Sequence, residues 1–128
     1  MDLKSYFENT KGTGILSTAD SDGNVDCAIY ARPHVMDDGT IAVIMRDRLS
    51  HKNLQSNPKA AYMFIEQGAG YKGKRLFLTK VKEDDDKELI ESLKRRSYKE
   101  DHPPNEEARF LVYFQVDKEL PLVGSGEK

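Results

Sequence analysis

Residues 14–65 read GILSTADSDGNVDCAIYARPHVMDDGTIAVIMRDRLSHKNLQSNPKAAYMFI, and the punctuation of this stretch decides the fold. Asp20-Ser-Asp-Gly23 and Asp37-Asp-Gly39 are turn clusters, because short polar side chains bond their own backbone and glycine accepts positive φ. They separate three segments of strand character. Residues 14–19 are the first. Residues 25–35 alternate, with Val25, Cys27 and Ile29 on one face and Asp26, Ala28, Tyr30 and Arg32 on the other; a period of two predicts one half-buried strand, with Cys27 a buried small side chain on its apolar face. Residues 40–45 are apolar on both faces, as in a central strand. A short helix is predicted over residues 48–56, stopped at Asn57-Pro58 because proline disfavours helical φ/ψ in the residue before it. Residues 60–65 follow as a further strand.

Outward from this stretch, Leu3, Tyr6 and Phe7 share one face of an N-terminal helix. Lys11-Gly12-Thr13-Gly14 reads as its stop, with glycine supplying a positive φ. On the C-terminal side, the glycine-rich residues 68–73 lead to a strand at 75–82. Asp84-Asp-Asp86 opens a helix with an apolar stripe of Leu89, Ile90 and Leu93. His102-Pro103-Pro104 breaks the chain, and Phe110, Val112, Phe114 and Val116 alternate with Leu111, Tyr113 and Gln115 in a last strand. Short strands joined by hairpin signals favour an antiparallel sheet. The expected fold is mainly β (α+β): a six-stranded antiparallel β-barrel with short flanking helices. A chain of 128 residues supports one core, so residues 1–128 are expected to form a single domain, with 118–128 as its tail.

Twenty basic and 22 acidic residues, mixed along the chain to a net charge of −2, create no global field for nucleic acid or an anionic membrane, and no aromatic and basic stripe marks a nucleic-acid surface. One cysteine excludes an internal disulfide and fits a reducing compartment. No apolar run approaches the ~20 residues of a membrane span, so a cytoplasmic protein is expected. His34, His51 and His102 are too far apart to form a metal pair; His34 and His102 are read as structural or surface residues. Asp20 to Asp26 imitates a calcium loop but brings glycine two places early. With no nucleophile elbow and no carboxylate pair, catalytic residues cannot be assigned, and a cofactor must supply any redox chemistry.

Two segments carry binding potential. In RDRLSHKNLQSNP, residues 46–58, Arg46, Arg48, His51 and Lys52 gather where a strand meets a helix. Helix N-termini present unpaired N–H groups and a positive dipole end, so added cations and the Ser50 hydroxyl make a candidate phosphate site. Ser50 can cap the helix or donate to a phosphate oxygen, not both at full strength. The alternative is a solvated basic turn. GAGYKG, residues 68–73, has the spacing of a dinucleotide-binding turn but precedes the strand-like KRLFLTKV instead of a helix. It is therefore read as a hairpin loop, from which Lys72, Lys74 and Arg75 could reach an anion.

The succession of strand, hairpin, strand, basic loop and Asn53-Leu54-Gln-Ser-Asn57-Pro58 resembles the pyridoxamine 5′-phosphate oxidase-like family, the FMN-binding split barrels. KGKRLFLTKVKED and ARFLVYFQVDKELPLVG are similar to that family's later strands. The resemblance implies a split barrel, FMN as cofactor, and a homodimer with the flavin at its interface. It assigns Tyr30, Ala31 and Arg32, with Met45 and Arg46, to the ring, and Arg48, Ser50, His51 and Lys52 to the phosphate. Lys74 and Arg75 would come from the second subunit. The sequence departs from the pattern where many members carry Ser-Arg-Lys and this chain has Arg48-Leu49-Ser50. The implied activity is hydride or electron transfer between flavin and a small substrate or nicotinamide donor. The alternatives are a non-catalytic flavin or haem carrier, with His34 or His51 for haem, and a deazaflavin in place of FMN.

Overall fold

The computed structural model describes residues 2–97 and 109–124; the predicted break at His102-Pro103-Pro104 and residues 125–128 of the tail lie outside the described residues. Helix α1 (Leu3–Asn9) is followed by β1 (Gly12–Ala19), β2 (Val25–Tyr30), β3 (His34–Val35), β4 (Ile41–Arg46), α2 (Leu49–Ser56), β5 (Lys59–Glu66), β6 (Gly73–Asp84), α3 (Lys87–Ser97) and β7 (Arg109–Pro121). All strands join one antiparallel sheet in the order β2-β1-β5-β6-β7-β4-β3. Among the described residues, no helix is long and apolar enough to cross a membrane.

The sheet has seven strands where six are expected, because the segment read as one strand over 25–35 divides. β2 ends at Tyr30, Ala31-Arg32-Pro33 leaves the ladder, and β3 resumes at His34; Pro33 has no N–H to donate to a neighbour. The split has a larger consequence. β2 pairs only with β1 and is an edge strand, so the face carrying Val25, Cys27 and Ile29 is turned outward: Val25 is 83% exposed, Ile29 75%, and Cys27 is exposed as well. The expected burial of Cys27 is thus not met within one chain, and it is the Asp26, Ala28 and Tyr30 face that is half-buried.

The principal core lies on the inner face of the sheet, where Leu16, Tyr62, Phe64, Leu76, Leu78, Val43, Met45 and Phe114 pack under Tyr6 and Phe7 of α1. Phe7 meets Phe64 and Tyr62 edge to face, an arrangement favoured by the ring quadrupoles. On the opposite face of β4 and β7, the α3 stripe covers Ala42, Ile44, Leu111 and Tyr113 with Leu89, Ile90 and Leu93. β6 and β7 are long and carry register shifts at Phe77/Leu78 and Lys80/Lys82; such bulges bend a pair and let these two strands serve both halves of the sheet.

The local punctuation follows the sequence. Asp20 accepts the backbone N–H groups of Asp22 and Asn24, and Asp86 accepts those of Glu88 and Leu89 at the start of α3. Asn57 is extended at the end of α2, as a residue before proline must be. Residues 67–72 form the β5–β6 hairpin loop. Gly12 and Gly14 depart from expectation: they lie in β1 without positive φ, and α1 ends on Thr10 in an extended conformation. Glycine is needed there for close approach, since a Cβ at Gly12 would sit 2.2 Å from the Ile65 carbonyl oxygen.

Candidate functional site

β3 pairs with β4 only at Ile41 and Ala42, so beyond Ala42 no described strand covers that edge of β4. This bare edge looks across at β2, the other edge of the sheet. A cavity of about 500 Å³ occupies the split, within the range of small-ligand sites. Ala28, Ile29, Tyr30, Ala31, Val43, Ile44 and Leu49 give it apolar walls; Asp26, His34, Arg46, Arg48, Ser50 and Arg109 supply the polar groups.

One end is the start of α2. Its N-cap is Arg48, in extended conformation and without a side-chain cap hydrogen bond; the helical ladder begins with Lys52 N–H donating to the Arg48 carbonyl at 3.0 Å. Ser50 is the second helical residue and is buried, so it does not cap the helix. Burial raises the pKa of the Tyr30 hydroxyl; its hydrogen bond with Ser50 opposes that rise, Asp26 adds to it, and Arg48 opposes it. N–H groups without a side-chain cap at the positive dipole end, a guanidinium and a hydroxyl thus converge on one end of the cavity.

Of the residues expected from the sequence, Tyr30, Ala31, Arg46, Arg48 and Ser50 line this cavity together. Arg32 instead donates to the carbonyls of Phe7 (2.7 Å) and Thr10 (3.1 Å), closing the C-terminus of α1. Met45 is fully buried in the inner core, one residue away from the face that Arg46 occupies. Lys52 is exposed on α2. Lys74 pairs with Glu119 at 2.5 Å and covers the Tyr6 ring, and Arg75 donates to the carbonyls of Pro121 and Gly124; neither lines the cavity of its own chain.

His51 points away from the cavity into a hydrogen-bonded cluster. Its Nδ1 lies 2.9 Å from Asp47 Oδ1 and its Nε2 3.0 Å from Glu83 Oε2, while the ring stacks on Phe110 at 4.1 Å. Lys80 and Gln55 also donate to Glu83, at 2.6 and 3.1 Å. Burial pushes the Glu83 carboxyl upward, but the hydrogen bonds from Lys80, His51 and Gln55 outweigh it and hold the pKa at about 2. The turn that carries Arg48 is thereby tied to β6.

Arg109 is one of the cavity residues that sequence reasoning does not assign. Its signal is the register: Arg109 is the Cα partner of Arg46, a pairing invisible until β7 is set against β4. Asp26 and His34 are likewise brought in by topology, from the inward face of β2 and from β3.

No protein-family profile matches the sequence, and no curated protein matches it. Solved structures do. An FMN-binding protein from Syntrophomonas wolfei superposes with a TM-score of 0.76 at 20% identity, covering 94% of this chain and 84% of that one. An F420 reductase gives 0.66 at 16% identity, over 93% and 97% of the two chains. A provisionally assigned pyridoxamine 5′-phosphate oxidase from Lactobacillus delbrueckii gives 0.65 at 17%, over 92% and 89%. With its curled antiparallel sheet, its split between β2 and β4 and these likenesses over nearly the whole length, the chain has the fold of the pyridoxamine 5′-phosphate oxidase-like split barrels.

Proposed function

We propose that the chain is an FMN-binding flavoprotein, active as a homodimer, that passes hydride or electrons between flavin and a small substrate or nicotinamide donor. The observation that carries this reading is the meeting, in one cavity, of apolar walls with Arg48 and Ser50 at the uncapped start of α2. The residues present fit the group. Arg48, Ser50 and the first N–H groups of α2 take the phosphate, with Lys52 at the rim, and His51 holds their turn in place through Asp47 and Glu83. Tyr30, Ala31 and Ile44 flank the ring, and the bare edge of β4 offers backbone N–H and C=O groups to its polar margin. When bound, FMN supplies hydride or electron exchange at the ring; the protein supplies position and electrostatics.

The outward face of the sheet supports a second copy. In register, Ile29 lies beside Ile15 and Met63, and Cys27 beside Ser17, Ala61 and Phe77, so exposed and half-buried apolar side chains form a continuous face across β2, β1, β5 and β6. A patch of this kind on a soluble chain marks an interaction surface. Ile29 belongs both to that face and to the cavity lining, so a copy docked there would complete the cavity wall and bring near it its own Arg75, the register partner of Met63 on that face, whereas Lys74 lies over Tyr6 on the opposite face. Ligand binding and dimerisation would then be coupled by mass action.

Anaerobic mixing of the FMN-loaded protein with NADH or NADPH tests the activity. Bleaching of the flavin absorbance is expected. Full flavin occupancy without bleaching by any donor assigns the alternative reading, a flavin carrier; uptake of haem that depends on His34 or His51, in place of FMN, assigns a haem carrier.

A further inference from the structure

We propose that His51 is a positioning residue for the phosphate end of the cavity: its doubly protonated ring locks the turn that carries Arg48, so the hold on a phosphate weakens as pH rises and the ring loses a proton. The phosphate as target rests on the flavin reading; the pH-dependent lock does not. Both ring nitrogens face carboxylates, Nδ1 at 2.9 Å from Asp47 Oδ1 and Nε2 at 3.0 Å from Glu83 Oε2. An ionised carboxylate only accepts, and a neutral imidazole has a single N–H, so this arrangement is complete only in the imidazolium form. The Phe110 ring, stacked on it at 4.1 Å and 7° from parallel, presents the negative face that favours a cation.

The ring reaches the cavity through Asp47. This residue is the middle of a tight turn in which Arg48 N–H donates to the Arg46 carbonyl at 2.9 Å, and both of its neighbours line the cavity. Holding the Asp47 side chain against His51 therefore fixes the other side of the turn, where Arg48 enters the phosphate end. The second ring nitrogen is anchored to β6 by Glu83, which Lys80 holds at 2.6 Å. The groups that face the ring are thus Asp47 from the turn, Gln55 from α2, Glu83 with Lys80 behind it from β6, and Phe110 from β7. Gln55 Nε2 lies 3.2 Å from His51 Nε2, so a ring deprotonated there accepts from Gln55 and gives up Glu83, which unfastens the turn from β6. Histidine is the side chain that changes charge most readily near neutral pH. Because Asp47 is 61% exposed, water screens its tie and the effect on binding is modest.

Two measurements on the full chain between about pH 5 and pH 9 test this. In long-range 1H–15N NMR spectra of the chain without FMN, His51 should carry protons on both ring nitrogens at the acid end and lose one as pH rises. The backbone amide signals of Asp47, Arg48 and Leu49 should follow the same titration. In fluorescence titrations, the ratio of the wild-type Kd for FMN to that of His51→Gln should rise about three- to tenfold from the acid to the alkaline end; taking the ratio removes the ionisation of the phosphate itself, near pH 6. Asp47→Ala, which keeps the ring, should lose the pH response as His51→Gln does. A ring that keeps one protonation state throughout, or turn amides that do not follow it, overturns the proposal. So does a full pH response kept in Asp47→Ala, because a field effect of the imidazolium needs no Asp47. If FMN binds at no pH while the turn amides still follow the ring, the flavin reading fails and the lock stands.

Discussion

A Cβ on Gly14 would lie 1.9 Å from the hydroxyl oxygen of Tyr62, which itself donates to the carbonyl of Ala31 at 3.0 Å. The absence of a side chain on β1 is therefore what lets a fully buried tyrosine of β5 reach the segment that lines the cavity. Gly14→Ala is expected to destabilise the fold by about 2–3 kcal/mol, as overpacking of a core does, with Tyr62→Phe costing about 1–2 kcal/mol for the lost hydrogen bond to a buried carbonyl. Urea denaturation of the two variants checks both values.

The phosphate reading makes Arg48 the dominant side chain. Arg48→Ala should raise the Kd for FMN roughly 10- to 100-fold, the worth of a charge-assisted contact, and Ser50→Ala by about 3- to 10-fold, as befits a neutral hydroxyl. Lys52→Ala, at an exposed position, should change it less than about threefold. Flavin fluorescence titrations of the three variants measure the order.

Stability should fall in acid because of Glu83. Its folded-state pKa of about 2 lies below the ordinary value of 4.5, so the unfolded chain takes up the proton first as pH drops. The contribution is complete above about pH 4.5 and is lost as pH falls through about 2. Urea midpoints measured from pH 5 to pH 2 should decline less steeply in Glu83→Gln than in the wild type, although that variant is less stable at pH 7 because Lys80 loses its ionic partner.

The apolar outer face predicts the assembly state. Wild-type protein should sediment as a dimer, and Val25→Asp combined with Phe77→Asp should give monomers, because two carboxylates would have to be desolvated on each side of the interface. The same double variant should bind FMN more weakly. Analytical ultracentrifugation with and without FMN reads both effects.

Much of the fold was legible because its signals are local. The Asp-Gly turns at 20–23 and 37–39, the Asn57-Pro58 stop and the Leu89, Ile90 and Leu93 stripe each state their element in a few residues, and the structure places those elements there. What was not legible depends on who stands beside whom. Val25, Cys27 and Ile29 alternate as a buried face should, yet their strand lies at an edge, and alternation cannot distinguish a face buried in a core from one left for a partner. The glycines at 12 and 14 read as a helix stop because spacing reveals nothing of Ile65 and Tyr62 approaching from β5. The basic loop was visible as a cluster, but which cations point inward was not: Arg46, Arg48 and Ser50 line the cavity, while Arg32 and His51 are drawn off to backbone carbonyls and carboxylates. Arg109 enters the site only through its pairing with Arg46.

Comparative binding of FMN and riboflavin to the purified chain tests the central claim most directly, because the two ligands share a ring and differ by the phosphate. FMN is expected to bind at least about 100-fold more tightly, with the ratio reduced roughly 10- to 100-fold in Arg48→Ala. Equal affinity for the two, or no uptake of either, would contradict the account.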